Sequence, residues 1–355
     1  MSRVVIFALE PLDSRYTKQW LTGIPALIDA ERDRCSQAQT LTIMGKQRET
    51  TVTDGAFLNF SDTHYWKSSQ VCQFIEYLDS GLIGDDDTIL FTDFWNPALI
   101  QIAYMRDLLG KNWKIHGIAH AGAYDPSDIL GLKMRPEWPH DFERSLFMAS
   151  DVTYFATDFH RKMFLQNLNI PVEYIDRAVL SGQPHNEILD RMNDIEIPEN
   201  KSERVIWPHR YNEDKQPEIA EALAEDFNMV ITQKHNFSKD EFYDVLADTR
   251  VLFSCALHEN LGISVMEGVL LDVIPLLPDR CSYAEMYLPE FKYPSEWTES
   301  YANFIAFRPQ LEDRLNTMVQ YPERFSTLME RQKEILKSNY LTADEMIARL
   351  TGSRQ

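Results

Sequence analysis

Short apolar runs separated by longer amphipathic stretches set the rhythm of this chain. The runs Val4–Leu9, Leu41–Met44, Thr88–Phe91, Ile115–Ala119 and Val152–Phe155 are β-prone and too short to be helices. Between them, helical spacing is clearest at Ser69–Leu78, Pro97–Leu109, Phe142–Ala149 and Phe159–Asn167. The scheme returns at Val205–Trp207, Met229–Thr232, Val251–Ser254 and Val273–Leu277, again with helical runs between. Such alternation predicts an α/β chain whose mostly parallel sheets are covered on both faces. The polar stretch Ser181–Glu203, marked by Pro184 and Pro198, reads as the junction of two domains. The expected division is therefore 1–178, a linker over 179–203, and 204–330, with 331–355 a closing helix on a charged tail that starts near Arg308.

A length of 355 residues is long for one core and suits two. No run approaches the length needed to cross a bilayer, and the apolar stretch at the amino end is better read as a first strand than as a signal peptide. Cys35, Cys72, Cys255 and Cys281 are scattered without a CxxC pair, which suggests reduced, mostly buried thiols and a cytoplasmic setting. A net charge of −20 argues against broad attraction to nucleic acid or an anionic membrane. Any anionic ligand must then be met by local cations.

Two segments offer such chemistry. RVIWPHRYNEDKQP, residues 204–217, places Arg210 and Lys215 in the loop that leaves a strand, with Pro217 suited to a first helical turn. HENLGISVMEGVLLDVIPLLP, residues 258–278, carries Glu259 in a loop and Glu267 inside the following helix. Eight helical residues would span roughly 12 Å, about the distance from a hexose to a ribose across two phosphates. A carboxylate accepts hydrogen bonds from vicinal hydroxyls, which favours Glu259 for a sugar and Glu267 for a ribose. The amides of Asn260, Leu261 and Gly262 would lie at the helix start, where N–H groups and the dipole favour phosphate. Two cations beside a departing diphosphate stabilise charge that grows as a glycosidic bond breaks. Each of these residues taken singly can also be read as a solvated charge.

Glu-x7-Glu with an upstream Arg-x4-Lys resembles the retaining glycosyltransferases built from two Rossmann-like domains, the GT-B type. VIWPHRYNEDKQPE and HENLGISVMEGV are especially similar to the tRNA-queuosine mannosyltransferase branch, and the chain's size also suits bacteriophage enzymes that glycosylate hydroxymethylated pyrimidines in DNA. The resemblance is specific over about residues 204–290. It implies two parallel-sheet domains facing a central cleft, a terminal helix after about residue 330 that crosses back to the first domain, a UDP- or GDP-sugar donor, same-face attack and no obligatory cofactor or metal. It further implies that Arg210 and Lys215 stabilise the leaving diphosphate, and that His120, at the end of KIHGIA, meets the donor sugar.

The acceptor would then fall to the first half. The loop after the first strand lacks the Gly-Gly turn of many relatives and instead carries Asp13, Arg15, Tyr16 and Lys18, with Trp20 close behind. Such a basic and aromatic mix can hold phosphates while stacking a base, and it is equally compatible with core aromatics beside surface charges. Asp93 in TDFWN is a second acceptor candidate, whereas Asn96 suits a helix cap. His116 and His120 at i and i+4 suit a metal only on a helix, and Asp85-Asp86-Asp87 reads as a solvated turn. The expected partners are a nucleotide sugar and a modified base in nucleic acid, DNA ahead of tRNA, without a membrane. Polysaccharide or small-molecule acceptors, an epimerase or phosphorylase on the same scaffold, and a non-catalytic sugar-nucleotide binder are the alternatives.

Overall fold

In the computed structural model, which describes residues 3–11, 17–35, 40–48, 59–134 and 137–353, the chain divides into two compact units. The first comprises Met1–Ala156, Arg161–Pro184 and Ala343–Gln355; the second comprises Thr157–His160 and His185–Thr342. The stretch read as a linker over 179–203 is thus split after Pro184, and it contains a helix and the start of a strand.

The first unit runs β1 (Val4–Phe7), α1 (Thr17–Cys35), β2 (Thr40–Ile43), α2 (Phe60–Asp79), β3 (Thr88–Phe91), α3 (Ala98–Leu109), β4 (Lys114–Ile118), α4 (Ile129–Lys133), α5 (Glu137–Ala149), β5 (Val152–Phe155), α6 (Asp158–Asn167) and β6 (Ala178–Leu180). Its strands pair in parallel in the order β2-β1-β3-β4-β5-β6. Side chains alternate faces along each strand, which builds two cores from one sheet. Val5, Phe7, Ile89, Phe91, Ile115 and Phe155 pack on one face with Phe74, Leu99, Leu146 and Phe164 of the covering helices. Val4, Ile6, Leu90, Ile118 and Tyr154 pack on the other with Trp20, Ile24 and Ile28 of α1.

The second unit runs α7 (Asn186–Asn193), β7 (Ser202–Trp207), α8 (Pro217–Leu223), β8 (Met229–Ile231), α9 (Lys239–Ala247), β9 (Thr249–Phe253), α10 (Ile263–Leu270), β10 (Ile274–Pro278), α11 (Tyr283–Met286), β11 (Lys292–Tyr293), α12 (Tyr301–Gln320) and α13 (Ser326–Asn339). Its sheet is also parallel, in the order β11-β10-β9-β7-β8. After it, α14 (Asp344–Thr351) returns to the first unit and lies against α1.

In each sheet the chain winds outward in two directions from its first strand. The reversal falls between β1 and β3 in one unit and between β7 and β9 in the other. Loops at such a switch point diverge and leave a crevice at the carboxyl ends of the strands, where open α/β sheets bind ligands.

Three expectations need correcting. Trp20 is 3% exposed within the core under α1, so it cannot stack a base at the surface. Asp87 is buried rather than solvated: its carboxylate accepts from the amides of Arg3 and Gly84, both at 2.7 Å, which closes the turn before β3. Cys72 is exposed, unlike Cys255, which is buried.

An eight-residue helix such as α14 is marginal alone and is held by the side chains it buries. Met346, fully buried against the α1 layer, carries much of that anchoring. Met346→Ala should cost about 2–5 kcal/mol of unfolding free energy, read as a lowered urea midpoint.

Candidate functional site

Lys215 holds two loops of the second unit together. It follows β7, at the end of a short 3-10 turn over Glu213–Lys215, and its side chain is only 7% exposed. Its ammonium lies 3.3 Å from Glu259 Oε2 and 3.2 Å from Asp214 Oδ2, and it donates to the carbonyl of His258. One cation from the β7 loop is thereby fixed to the loop leaving β9, on both sides of the switch point. The next residue, Gln216, sits in the left-handed region (φ 53°) and donates to the carbonyls of Cys255 (2.6 Å) and Thr298 (2.7 Å). A non-glycine residue keeps such a conformation only where its surroundings insist on it. The Leu257 amide donates to the Asp214 carbonyl at 2.7 Å, which closes the junction from the backbone.

Arg210 is the more open cation, with its side chain 47% exposed and Nη2 3.7 Å from Asp214 Oδ2. Asp214 therefore stands between Arg210 and Lys215. The sequence reading missed it, although it adjoins Lys215 in the same motif.

Glu259 closes the other side. Burial opposes its ionisation, but the Lys215 ammonium outweighs burial and holds its carboxyl below the ordinary glutamate range. Its Oε1 accepts the Gly262 amide at 3.0 Å. That amide, expected to face phosphate, is thus committed to Glu259, and α10 starts one residue later with the amides of Ile263 and Ser264. Gly262 has φ 74°, and an added Cβ would come within 2.9 Å of the Tyr283 ring, so glycine is required twice over. Asn260 is half-buried and Leu261 buried in the turn between Glu259 and Gly262.

Glu267 lies inside α10 and is 3% exposed. Tyr243 OH donates to its Oε1 at 2.6 Å, and Lys239 Nζ lies 2.9 Å from the same oxygen. Oε2 receives no hydrogen bond from a described residue. Both partners belong to α9. Neither was found from the sequence, because nothing in the local pattern of α9 ties it to α10. A capping box, Ser238 with Glu241, fixes the start of α9 and so the position of Lys239.

In the first unit, Asp93 follows β3 and His120 follows β4. Both line a cavity of about 350 Å³ at the carboxyl end of that sheet. Asp93 Oδ2 lies 2.7 Å from Lys67 Nζ, Lys67 also donates to the Trp95 carbonyl at 2.5 Å, and Asp93 Oδ1 accepts the Trp95 amide at 3.0 Å. Burial works against the Asp93 carboxylate, yet Lys67 and His120 keep its pKa below the ordinary value. His120 Nε2 meets the Thr92 carbonyl at 2.7 Å, so that nitrogen carries the proton, and the Trp20 ring packs 5.3 Å away. Asn96 accepts from the Ala98 amide at 3.0 Å, which serves the start of α3. Lys18 is exposed on α1, whereas Asp13, Arg15 and Tyr16 lie outside the described residues. His116 is packed in β4 with Nδ1 2.7 Å from Tyr154 OH, and no cluster of metal-ligating side chains occurs among the described residues.

No family model matches the chain. Among solved structures, an Escherichia coli trehalose-6-phosphate structure bound with UDP-2-fluoro glucose superposes with a TM-score of 0.61 at 13% identity, covering 99% of each chain. The UDP-forming α,α-trehalose-phosphate synthase of Burkholderia vietnamiensis gives 0.60 at 13% identity, over 99% of this chain and 100% of that one. The catalytic domain of Arabidopsis thaliana starch synthase IV, bound to ADP and acarbose, gives 0.59 at 11% identity over 99% of both. The chain therefore has the two-Rossmann, GT-B-like α/β fold; at these identities the likeness is one of fold.

Two buried histidines make the stability of the protein pH-dependent. Burial pushes His209 down to about 3 and His116 down to about 4, from an ordinary 6.5. Between pH 6.5 and 5 the unfolded chain therefore binds protons that the folded one refuses, so stability falls as pH falls, by up to about 1.4 kcal/mol per pH unit for each histidine. Carboxylates such as Glu259, whose folded pKa is lowered, lose their contribution only at lower pH. His209→Gln should flatten the slope of unfolding free energy against pH in this window by about one proton's worth, and an unchanged slope would contradict the assignment.

Proposed function

We propose that this protein is a retaining glycosyltransferase that moves a sugar from a nucleotide sugar to a hydroxyl acceptor. The observation that carries the reading is the contact of Lys215 with Glu259 across the switch point of the second unit, beside the left-handed Gly262 that opens α10. Nucleotide diphosphates bound to structures of the same fold, UDP-2-fluoro glucose in one and ADP in another, are consistent with a UDP- or ADP-type donor here.

In this reading, Arg210 and Lys215 face the diphosphate, aided by the head of α10, whose dipole favours an anion. Glu259 accepts hydrogen bonds from the sugar hydroxyls, and Glu267, with Oε1 already occupied, offers Oε2 to the ribose. The bond between the anomeric carbon and the phosphate oxygen breaks, and its electron pair leaves with the diphosphate. The acceptor oxygen bonds to the same face of that carbon, and its proton passes to the departing phosphate. Cations count here because the negative charge on the leaving oxygens is greater in the transition state than in the donor.

The acceptor belongs, on this reading, to the first unit. A nucleic-acid base, as the resemblance suggests, rests on Arg15, Tyr16 and Lys18 with Trp20. The burial of Trp20 removes the indole from that cluster, so we assign the acceptor to the cavity that holds Asp93 instead.

Two experiments test the donor site. Arg210→Ala and Lys215→Ala should each lower turnover of a nucleotide sugar about 100- to 1,000-fold, assayed as release of UDP or ADP; an unimpaired double variant would remove the mechanism. Tyr243→Phe frees Glu267 from one tether and should raise KM for the donor about tenfold with little change in kcat. A loss of thermal stability with KM unmoved would make Tyr243 a packing residue only.

A further inference from the structure

Glu143 occupies a position that helical spacing would give to an apolar side chain. The buried residues of α5 are Pro139, Glu143, Leu146 and Phe147, the i, i+4, i+7, i+8 stripe of a helix that faces a core. Glu143 is 0% exposed, and burial lifts its carboxyl above the ordinary glutamate range even against the donors around it. A buried carboxylate is costly unless hydrogen bonds answer it.

Three donors do so. Oε1 accepts the Trp95 indole N–H at 2.7 Å and the Ala123 amide, and Oε2 accepts the Tyr124 amide at 2.9 Å. His140, three residues back on α5, donates Nε2 to the Ala123 carbonyl at 3.1 Å, so the same turn is gripped a second time. Gly122 leaves room for the approach: a Cβ there would come within 2.5 Å of Glu143 Oε1.

Through these bonds α5 joins two loops that wall the cavity of the first unit. Trp95 lies in the loop after β3, and His120 and Ala121 lie in the loop after β4. All three line the cavity, whereas Glu143 is not among its lining residues. Trp95 is tied at every polar group. Its amide donates to Asp93 at 3.0 Å, its carbonyl accepts from Lys67 at 2.5 Å, and its indole donates to Glu143. Its ring also packs edge-on against Phe142 of α5, with centroids 5.2 Å apart. One neutral oxygen would satisfy a buried indole N–H. A charge that gathers donors from two loops fixes their mutual placement as well. His64, Lys133 and Asp128 line the same cavity and bring charge of both signs, so the clamp governs the shape of the wall rather than the charge a ligand meets.

We propose that Glu143 is a positioning residue for the first unit's cavity, holding the Trp95 indole and the Ala121–Tyr124 backbone in one fixed arrangement; its service to transfer rests on the glycosyl-transfer reading.

The test follows the Trp95 indole N–H by 15N NMR on the full chain, assigned by its disappearance in Trp95→Phe. Trp113 is the control, since its indole donates to the Gly84 carbonyl at 2.7 Å in the same unit without any atom of Glu143. Glu143→Gln keeps the size of the side chain but turns one acceptor oxygen into an NH2 group. It should leave Trp113 as it is, while the Trp95 indole exchanges with water at least about tenfold faster, the loss expected of a hydrogen bond to a charged group. The Trp95 indole should also gain nanosecond motion in 15N relaxation. Both indoles loosening alike would make Glu143 a packing residue only, and an unchanged Trp95 would overturn the clamp. Should Glu143→Gln fail to fold, Glu143→Asp, which keeps the charge and shortens the reach by one methylene, gives the same comparison. Turnover supplies the second readout. With UDP-glucose or ADP-glucose as donor, Glu143→Gln and Trp95→Phe should each lower kcat about ten- to hundredfold with donor KM within about twofold of wild type, because on that reading the second unit holds the nucleotide. A raised KM with kcat intact would deny Glu143 its part in transfer. A wild-type chain that consumes neither nucleotide sugar would count against the glycosyl-transfer reading, while the two indoles would still decide the clamp.

Discussion

A lysine with almost no access to water organises the second unit's site, and its charge has to be answered before any ligand arrives. Lys215 donates to Glu259 and to the His258 carbonyl, and Asp214 adds a second carboxylate 3.2 Å away as an ion-pair partner. A buried ammonium left without such partners would cost several kcal/mol, and removing one partner of a buried pair commonly costs about 3–5 kcal/mol. The contact is therefore structural before it is functional: it fixes where the β9 loop lies relative to the β7 loop. Everything downstream on that loop inherits its position, from the Glu259 bond to the Gly262 amide to the first turn of α10 and, a turn later, Glu267.

The first unit solves the same problem in the same way. Lys67 reaches from α2 to Asp93 after β3, again at a switch point and again with a backbone carbonyl as the third party. The surrounding strand ends are tied down by neutral groups: Trp66 and Gln70 donate to the Ala8 carbonyl, and Thr92 Oγ1 bonds the Phe7 carbonyl while accepting from the Leu9 amide. In a chain of net charge −20, both crevices thus contain cations already balanced locally. The difference lies in what surrounds the pair. In the second unit a partly exposed arginine stands beside it; in the first, an apolar wall does.

How much of this the sequence showed depends on how local each signal was. β3 and β5 match their apolar runs residue for residue, because a short central strand buried on both faces leaves little latitude. The strands β6 and β11 escaped notice, being two or three residues long and at sheet edges, where burial imposes no pattern. Arg210, Lys215 and Glu259 could be paired from spacing because each sits in the loop just after a strand of one sheet. Lys239, Tyr243 and Lys67 could not: each reaches its carboxylate from a separate helix, and helix-to-helix placement is a property of packing, not of the helix's own sequence. Trp20 shows the converse, an aromatic next to basic residues that tertiary packing draws into the core. Asp87 does too, as its carboxylate found buried amides rather than water.

The balanced charge of the second site bears on how a donor would be recognised under the glycosyl-transfer reading. Arg210 and Lys215 supply two positive charges, and Asp214 and Glu259 supply two negative ones. A diphosphate entering that cluster gains little unless a cation changes partner. If Lys215 turns from Glu259 toward phosphate, the Glu259 carboxylate loses its counter-charge while remaining largely buried, and it then needs hydrogen-bond donors of its own. The hydroxyls of the donor's sugar are such donors; a bare nucleoside diphosphate brings none to that position. Diphosphate recognition and sugar recognition are in this way coupled through a single ion pair. The complete donor satisfies both carboxylate and cation, whereas the product left after transfer satisfies only the cation and leaves the carboxylate exposed to the cost of burial. The same pair that holds the loops in place would then also favour release of the spent nucleotide.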